Sequence, residues 1–562
     1  MKIVTRRYAE ADRDRLAQSG VHPLLARLFA ARHIRSRDEL EQDFSRLIPP
    51  AQLTNADRAA RLLADAIAQQ KKLLIVADYD ADGATACAVG MRALASFGAR
   101  VEYLVPNRME LGYGLTPELV DIAARLKPDL LITVDNGIAS VEGVAHARRL
   151  GIGTLVTDHH LPGDSLPEAE CIVNPNQPGC GFPSKAIAGV GVMFYVMLAL
   201  RAELRNRKAF ENKTEPNLAA LTDLVALGTV ADVVPLDANN RILVAQGLKR
   251  LRAGSGKAGL TALARAGGRE AARANCFDLG FILGPRLNAA GRLADMGLGI
   301  ECLITDDDAR AANCAQQLDR LNRERRKIEG EMLDEASAAL DSIAEPAGAS
   351  LTMYQPGWHQ GVVGLIASRV RERIHRPVVC FARSNSGELR GSGRSIPGFH
   401  LRDALDLVSK REPGLILRFG GHAQAAGLTI GEKDMEKFKQ TFEQVAGELL
   451  SEEARLRVVE TDGELESAYH SLEVAQMLES QIWGQGFPPP LFCDTFTVQD
   501  QRIVGERHLK LRLVKDGQKL EAMRFNSLEP LPPRVRAAYR VSVNEFNGLR
   551  RPQLTLENIE PA

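Results

Sequence analysis

The stretch KKLLIVADYDADGATACAVGMRALASF, residues 71–97, passes within a few positions from an apolar run to three alternating aspartates and then to small residues. Asp78, Asp80 and Asp82 stand two apart, so on an extended backbone their carboxylates point the same way at the end of a strand. Like charges crowded there repel unless something positive joins them. Gly83 and the run ATACAVGMRALASF read as a turn into a helix, whose N-terminus favours anionic ligands. The chemistry suits divalent metal ions and a phosphate. The plainer alternative is an exposed acidic turn that caps the helix.

Outward from this segment the strand and helix texture repeats. ARVEYLVPN, DLLITVDNG and GTLVTDHH read as strands, and PELVDIAARLK and VEGVAHARRLG read as the helices between them. That alternation predicts an α/β fold built on a doubly wound, mainly parallel sheet. Residues 1–70 are expected to form a helical segment packed on this unit, which spans 71–312. Residues 313–346, with LDRLNRERRKIEGEMLDEASAALDSIAEP, read as a charged connector helix closed by Pro346. A second α/β domain is expected over 347–454. From 455 to 562 short β-rich runs take over, with KDGQ and FNGL as hairpin turns, and a small barrel follows.

Composition narrows the function. Seventy-one basic and 71 acidic residues cancel, so any polyanion must be held locally rather than by a global field. The eight cysteines form no CxxC pair and no Cys/His finger spacing, which fits free thiols in a reducing cytoplasm. The N-terminus lacks the apolar core of a signal peptide, and no apolar run is long enough to span a bilayer. A soluble, cytoplasmic protein with no membrane partner is expected.

Three further acidic motifs sit where strands or helices should end. Asp135 closes LLITVDNG, Asp158, His159 and His160 close TLVTDHH, and Asp232 lies in ALGTVADVVPL. In an open parallel sheet the loops after the carboxyl ends of strands line one crevice, so these residues can meet there. A lone strand-end Asp usually caps a helix, and a lone His is usually structural. Adjacent histidines after an Asp, together with the other acids, point instead to a shared site. Carboxylates with one or two imidazoles suit Mn²⁺ or Mg²⁺, and a carboxylate such as Asp135 could bridge two ions. Two metals activate a water and steady a leaving oxygen in phosphoester hydrolysis.

DYDADG, VDNG, DHH and GTVADVVPL, in that order, resemble the four motifs of the DHH phosphoesterase superfamily. GPRLNAAGRL (284–293), GWHQGVVGLIASR (357–369), RGSGRS (390–395) and GGHAQAAG (420–427) are similar to its RecJ branch of single-stranded-DNA exonucleases. The resemblance implies that Asp80 and Asp82 bind metal, that Asp135 bridges, and that His159 and Asp232 complete the second ion's shell. His160 would contact the scissile phosphate and Asp158 would orient a histidine. Small-substrate members carry a histidine at the position of Val76, whereas this chain has Asp78, which joins the metal set and fits the RecJ branch.

A strand would need a phosphate track. Arg390, Ser392 and Arg394 combine cations, a hydroxyl and flexible backbone, a chemistry suited to phosphate. The resemblance implies that Ser392 and Arg394, helped by Arg108, hold a 5′ phosphate. Arg286, Asn288 and Arg292 are expected along the backbone near the scissile bond. His359, His400 and His422 each follow a glycine loop and suggest a face opposite the metals, while Tyr113 could stack a base. In the barrel, which resembles an OB-type module, Lys510, Arg512, Arg550 and Arg551 are candidates for a strand groove.

The reading is therefore a metal-dependent exonuclease that shortens single-stranded DNA from the 5′ end, using two Mn²⁺ or Mg²⁺ ions. The resemblance further implies work in recombination and repair beside a helicase and a single-strand-binding protein, as a monomer. Two rivals remain: a phosphodiesterase of short oligonucleotides or cyclic dinucleotides, and a nucleic-acid-binding scaffold with a retired site. The β domain argues against the first and the intact acid and histidine set against the second.

Overall fold

A computed structural model describes residues 2–107, 113–341, 348–384 and 387–561. After a short first strand, β1 (Lys2–Thr5), helices lead into β2 (Lys72–Ala77), whose KLLIVA is buried almost throughout. With β3 (Arg100–Leu104), β4 (Leu130–Val134), β5 (Gly153–Thr157) and β6 (Cys171–Val173) it forms a five-stranded sheet, ordered β3-β2-β4-β5-β6 and parallel at every pairing. One face packs Leu73, Ile75 and Ala77 under helices that include Ala81–Ser96 and Gly189–Asn206. The other packs Leu74 and Val76 under Pro117–Ala124 and Val141–Arg149. Both faces are covered, which is why these strands read as apolar runs rather than alternating ones. The order reverses between β2 and β4, and a crevice opens there at the strands' carboxyl ends.

One helix, Asp308–Asp341, joins this unit to the next and begins five residues before the expected 313. At about 1.5 Å per residue it is roughly 50 Å long. Its first half buries Cys314, Ala315 and Leu318 in the first core, and its second half buries Met332, Ala336 and Leu340 in another. The expected end at Pro346 lies outside the described residues.

The second domain is a mixed sheet of β7 (Leu351–Tyr354), β8 (Val378–Arg383), β9 (Leu389–Arg394), β10 (Ile416–Gly421) and β11 (Ala425–Ile430), ordered β10-β11-β9-β8-β7. Next, β12 (Val458–Thr461) pairs in parallel with β1. The leading segment is thus not wholly helical, and it packs on the C-terminal part as well as on the first domain. Arg32 forms a fully buried ion pair with Asp462 at 2.9 Å and lies over the Trp483 ring.

The last five strands, β13 (Phe492–Val504), β14 (His508–Lys515), β15 (Gln518–Arg524), β16 (Arg534–Phe546) and β17 (Leu549–Pro561), close a barrel ordered β13-β14-β15-β17-β16. The β14–β15 and β16–β17 hairpins turn through two residues at positive φ, Asp516-Gly517 and Asn547-Gly548, the backbone that a tight two-residue turn requires. Phe492, Phe496, Leu511 and Tyr539 fill the barrel and join the core that underlies the first sheet.

Candidate active site

Four segments deliver acids and histidines to the crevice. After β2, Asp80 caps the helix Ala81–Ser96 and accepts from Asp82 N at 2.9 Å and Gly83 N at 3.0 Å. Asp82, fully buried, accepts from Gly189 N at 2.6 Å and Val190 N at 2.9 Å, at the start of another helix whose dipole favours its charge. A Cβ on Gly189 would lie 2.6 Å from Asp135 Oδ1, so this close approach needs glycine. Asp135 follows β4 at φ 62°, a left-handed backbone uncommon for a residue with a side chain and typical of functional sites. Asp232 follows the helix Thr222–Ala231, and Val233 beside it has φ 65°.

These groups converge. His159 Nε2 lies 3.1 Å from Asp135 Oδ1, 3.5 Å from Asp232 Oδ2 and 3.9 Å from Asp82 Oδ2. Asp82, His159 and Asp232 form one set with ligand atoms within 4.8 Å of one another, and Asp78, Asp80 and Asp135 form a second. Asp135 stands next to both. Its Oδ1 and His159 Nε2 are buried, and neither finds a hydrogen-bond partner among the described residues. Buried polar atoms rarely go unpaired, and a cation between them would satisfy both. Carboxylates with one neutral imidazole fit a hard divalent ion.

Electrostatics support this. Burial, followed by the charge of Asp80, pushes Asp82 up to about 7. Burial and the neighbouring acids hold Asp135 and Asp232 well above the carboxylate range. Without positive charge the cluster resists ionising. Burial and the adjacent His160 lower His159 to about 4, leaving it neutral, as a metal ligand must be. His160 differs: burial opposes its charge, but the hydrogen bond and charge of Asp158, with Asp78 and Asp80, outweigh burial and raise it to about 9. Asp158 Oδ1 lies 2.8 Å from His160 Nδ1, and Asp158 also accepts from Ile138 N at 2.9 Å and His159 N at 2.7 Å. Burial alone would raise Asp158, yet these contacts hold it below its ordinary value.

The GPRLNAAGRL helix, Gly284–Leu293, lies against the aspartate loop, and Asn288 Oδ1 accepts from Ala81 N at 2.8 Å. Asn288 therefore braces the loop. Arg286 is buried, with Nη2 2.8 Å from Asp319 Oδ1 and Nη1 donating to Ile282 O, and so ties this helix to the connector. Arg292 reaches across to Gly361 O at 3.0 Å.

The second domain supplies the opposite wall. His422 stacks on His160, with ring centroids 5.8 Å apart and planes at 21°. Along β9, Arg390, Ser392 and Arg394 alternate onto one face. Arg394 Nη1 donates to Ser392 Oγ at 3.1 Å, and both lie so near Gly364, in the first turn of the helix Val363–Ile374, that a Cβ there would come within 2.9 Å of each. A serine, an arginine and a helix N-terminus thus share one spot. Arg390 Nη1 approaches Gln360 Oε1 at 3.5 Å, and His359 Nδ1 accepts from Gly361 N. His400 Nδ1 caps the helix Leu401–Arg411. Arg108 lies outside the described residues.

Tyr113, a candidate for base stacking, brings its hydroxyl to 3.1 Å from His160 Nδ1 and 3.3 Å from the Asp135 carbonyl. Sequence reasoning missed Gly189, whose only signal was a glycine opening an apolar helix. In the barrel, Lys510 pairs with Glu521 at 3.3 Å and Arg550 with Glu545 at 3.6 Å, while Arg512 and Arg551 are exposed.

Residues 72–229 match the DHH family, N-terminal domain, residues 347–448 the DHHA1 domain, and residues 461–558 the RecJ OB domain. The chain is 49% identical over 575 residues to the single-stranded-DNA-specific exonuclease RecJ of Dickeya dadantii, covering 100% of both chains. It is 48% identical to that of Escherichia coli, over 99% of both. A crystal structure of RecJ in complex with Mn²⁺ from Thermus thermophilus superposes with a TM-score of 0.83 at 31% identity, covering 100% of this chain and 79% of that one.

Proposed function

The chain belongs to the RecJ family of single-stranded-DNA-specific exonucleases, and from that premise we propose that the strand-end cluster is its two-metal hydrolytic site, acting on single-stranded DNA from the 5′ end. The observation that carries this is the convergence of Asp135 Oδ1 and His159 Nε2, buried and without hydrogen-bond partners, between two sets of metal-ligating side chains. Asp78 and Asp80 with Asp135 would hold one ion, and Asp82, His159 and Asp232 the other, with Asp135 shared. Bound Mn²⁺ or Mg²⁺ supplies an activated water and neutralises charge on the phosphate.

The protein's own groups do the rest. His160, oriented by Asp158 2.8 Å from its Nδ1, would offer its other ring nitrogen to a phosphate oxygen where negative charge grows. Asp158 and the Tyr113 hydroxyl fix the ring's orientation, and His422 packs its face from the second domain. Ser392, Arg394 and the adjacent helix N-terminus offer hydrogen bonds and positive charge to the terminal 5′ phosphate, with Arg108 assigned the same role. Arg292, Arg390 and His359 line the approach. A terminal phosphate held at a fixed place beside the metals makes cleavage exonucleolytic.

The division into catalytic domain, connector, second domain and barrel follows the same reading. We assign the protein to the cytoplasm as a monomer that works in recombination and repair with a helicase and a single-strand-binding protein. None of its helices is long and apolar enough to cross a membrane among the described residues. The barrel makes a site restricted to short oligonucleotides or cyclic dinucleotides the weaker reading.

The test is a time course on a single strand labelled at its 3′ end, with Mn²⁺, with EDTA and beside a blunt duplex. A metal-dependent ladder of shortening labelled products, absent from the duplex, is expected. Immediate release of labelled mononucleotide would reverse the polarity, and an intact strand would refute the assignment.

A further inference from the structure

Next to the metal cluster lies an apolar surface that the catalytic reading does not use. Asp278–Leu283 forms a widened π-helical turn, a local geometry frequent at functional sites. It packs against the helix Thr222–Ala231, which delivers Asp232 to the crevice. Phe277 and Phe281, at 52% and 64% exposed, stack on each other at this turn with centroids 4.9 Å apart and planes at 23°. Val233, directly after Asp232, is 61% exposed. Large aromatic side chains normally gain far more by burial than by pairing in water, so two on one turn call for an occupant.

The surroundings indicate a polyanion with flat apolar faces. Arg269 pairs with Asp278 at 3.0 Å. Arg273 pairs with Glu545 at 2.8 Å, and Arg550 pairs with the same Glu545 at 3.6 Å. Arg273 also meets Glu270 at 3.4 Å, and the Arg273 and Arg550 pairs, exposed on both sides, are weak enough to exchange carboxylate for phosphate, whereas Arg269 stays on the buried Asp278. Through Glu545 they tie the turn to the β16–β17 hairpin, which presents Phe546 and Leu549 exposed at its tip and Arg551 along its edge. Stacked rings with arginines nearby, on a turn packed against the helix that ends at Asp232 and with Arg273 tied to the barrel hairpin through Glu545, match the two demands of an unpaired strand: base stacking and phosphate neutralisation.

We propose that Phe277 and Phe281 are a base-stacking subsite for single-stranded DNA, holding the part of the strand between the metal site and the barrel. The proposal rests on the exonuclease reading above. It implies that affinity depends on strand length, because short oligonucleotides fill only the metal site while longer ones reach the stacked rings.

The experiment measures binding and degradation of oligothymidylates of increasing length by the full chain and by the double variant Phe277→Leu/Phe281→Leu, which keeps apolar bulk but removes both ring faces. Phe281→Trp serves as the stacking-competent control. The double variant is expected to bind long strands roughly tenfold or more weakly, at the scale of one lost base stack, while binding and cleaving the shortest substrates as the parent does. Phe281→Trp should bind long strands at least as tightly as the parent. Unchanged long-strand affinity in the double variant would overturn the subsite and leave the patch to a protein partner. Equal weakening at every length, or loss in Phe281→Trp as well, would overturn it too, by showing a general disturbance of the fold. A parent chain that cleaves no oligothymidylate would instead refute the exonuclease reading and the subsite with it.

Discussion

Neutralising Asp135 should stabilise the metal-free protein while destroying its activity. The residue is 1% exposed, and burial followed by the charges of Asp82, Asp80, Asp232 and Asp78 raises its pKa well above the ordinary value. A carboxyl with a higher pKa folded than unfolded binds more protons in the folded state. Its cost is therefore absent below about pH 4 and grows as pH rises through the folded value. For the neighbouring Asp82, pushed from 3.8 to about 7, the span corresponds to about 4 kcal/mol at full ionisation, at about 1.36 kcal/mol per unit. The burden is shared among several acids, so removing one charge should recover about 1–3 kcal/mol. Asparagine suits the substitution because it keeps the shape and tolerates the left-handed backbone at φ 62°.

Calorimetry of the parent and of Asp135→Asn in EDTA, at mildly alkaline pH and again near pH 4, measures the effect. At roughly 2–4 °C per kcal/mol for a domain of this size, the variant should melt several degrees higher at alkaline pH, and the gap should close in acid. Adding Mn²⁺ should then raise the parent, by about 2.7 kcal/mol at a hundredfold excess over Kd, and leave the variant nearly unmoved. A variant no more stable than the metal-free parent, or one that Mn²⁺ stabilises as strongly, would refute the idea that the acids are held together by bound cations.

Asp158→Asn should retain the Mn²⁺-induced stabilisation but lose about 10²-fold or more in kcat, and histidine NMR in EDTA should show His160 titrating well below about 9. The Arg394→Ala protein should lose any preference for a 5′-phosphorylated over a 5′-hydroxyl strand, chiefly through KM, in competition assays. Asp462→Asn leaves the Arg32 guanidinium buried without its counter-charge and should destabilise the chain by about 3–5 kcal/mol in denaturant unfolding.

The catalytic half was legible because its strands are buried on both faces and end in polar motifs that no core would tolerate. DYDADG, VDNG and DHH follow the residue where each strand stops, so their convergence followed from sheet topology alone. The Arg286–Asp319 pair was not legible, because Asp319 sits in the connector and no local pattern links it to the glycine-rich motif. β1 was hidden for a similar reason, since four residues give too short an alternation to distinguish a strand. FDLGFIL carried no signal in the sequence that Phe277 and Phe281 would be exposed. The hairpins, in contrast, were fixed by chemistry two residues long.

The pairing of β1 with β12 has a consequence for how the chain comes to be folded at all. Val458, the register partner of Lys2, is made about 450 residues after it. At a synthesis rate of roughly 5–20 residues per second the first strand waits some 20–90 s for the edge it joins. During that interval Arg32 also lacks Asp462, and the apolar surface around Phe29 lacks Trp483 and Phe487. The catalytic sheet can form early from neighbours close in sequence, but its N-terminal flank stays open until the far end of the protein arrives. Completion of the barrel region therefore acts as a checkpoint, because a nuclease truncated before it would keep a ragged flank exposed to proteolysis.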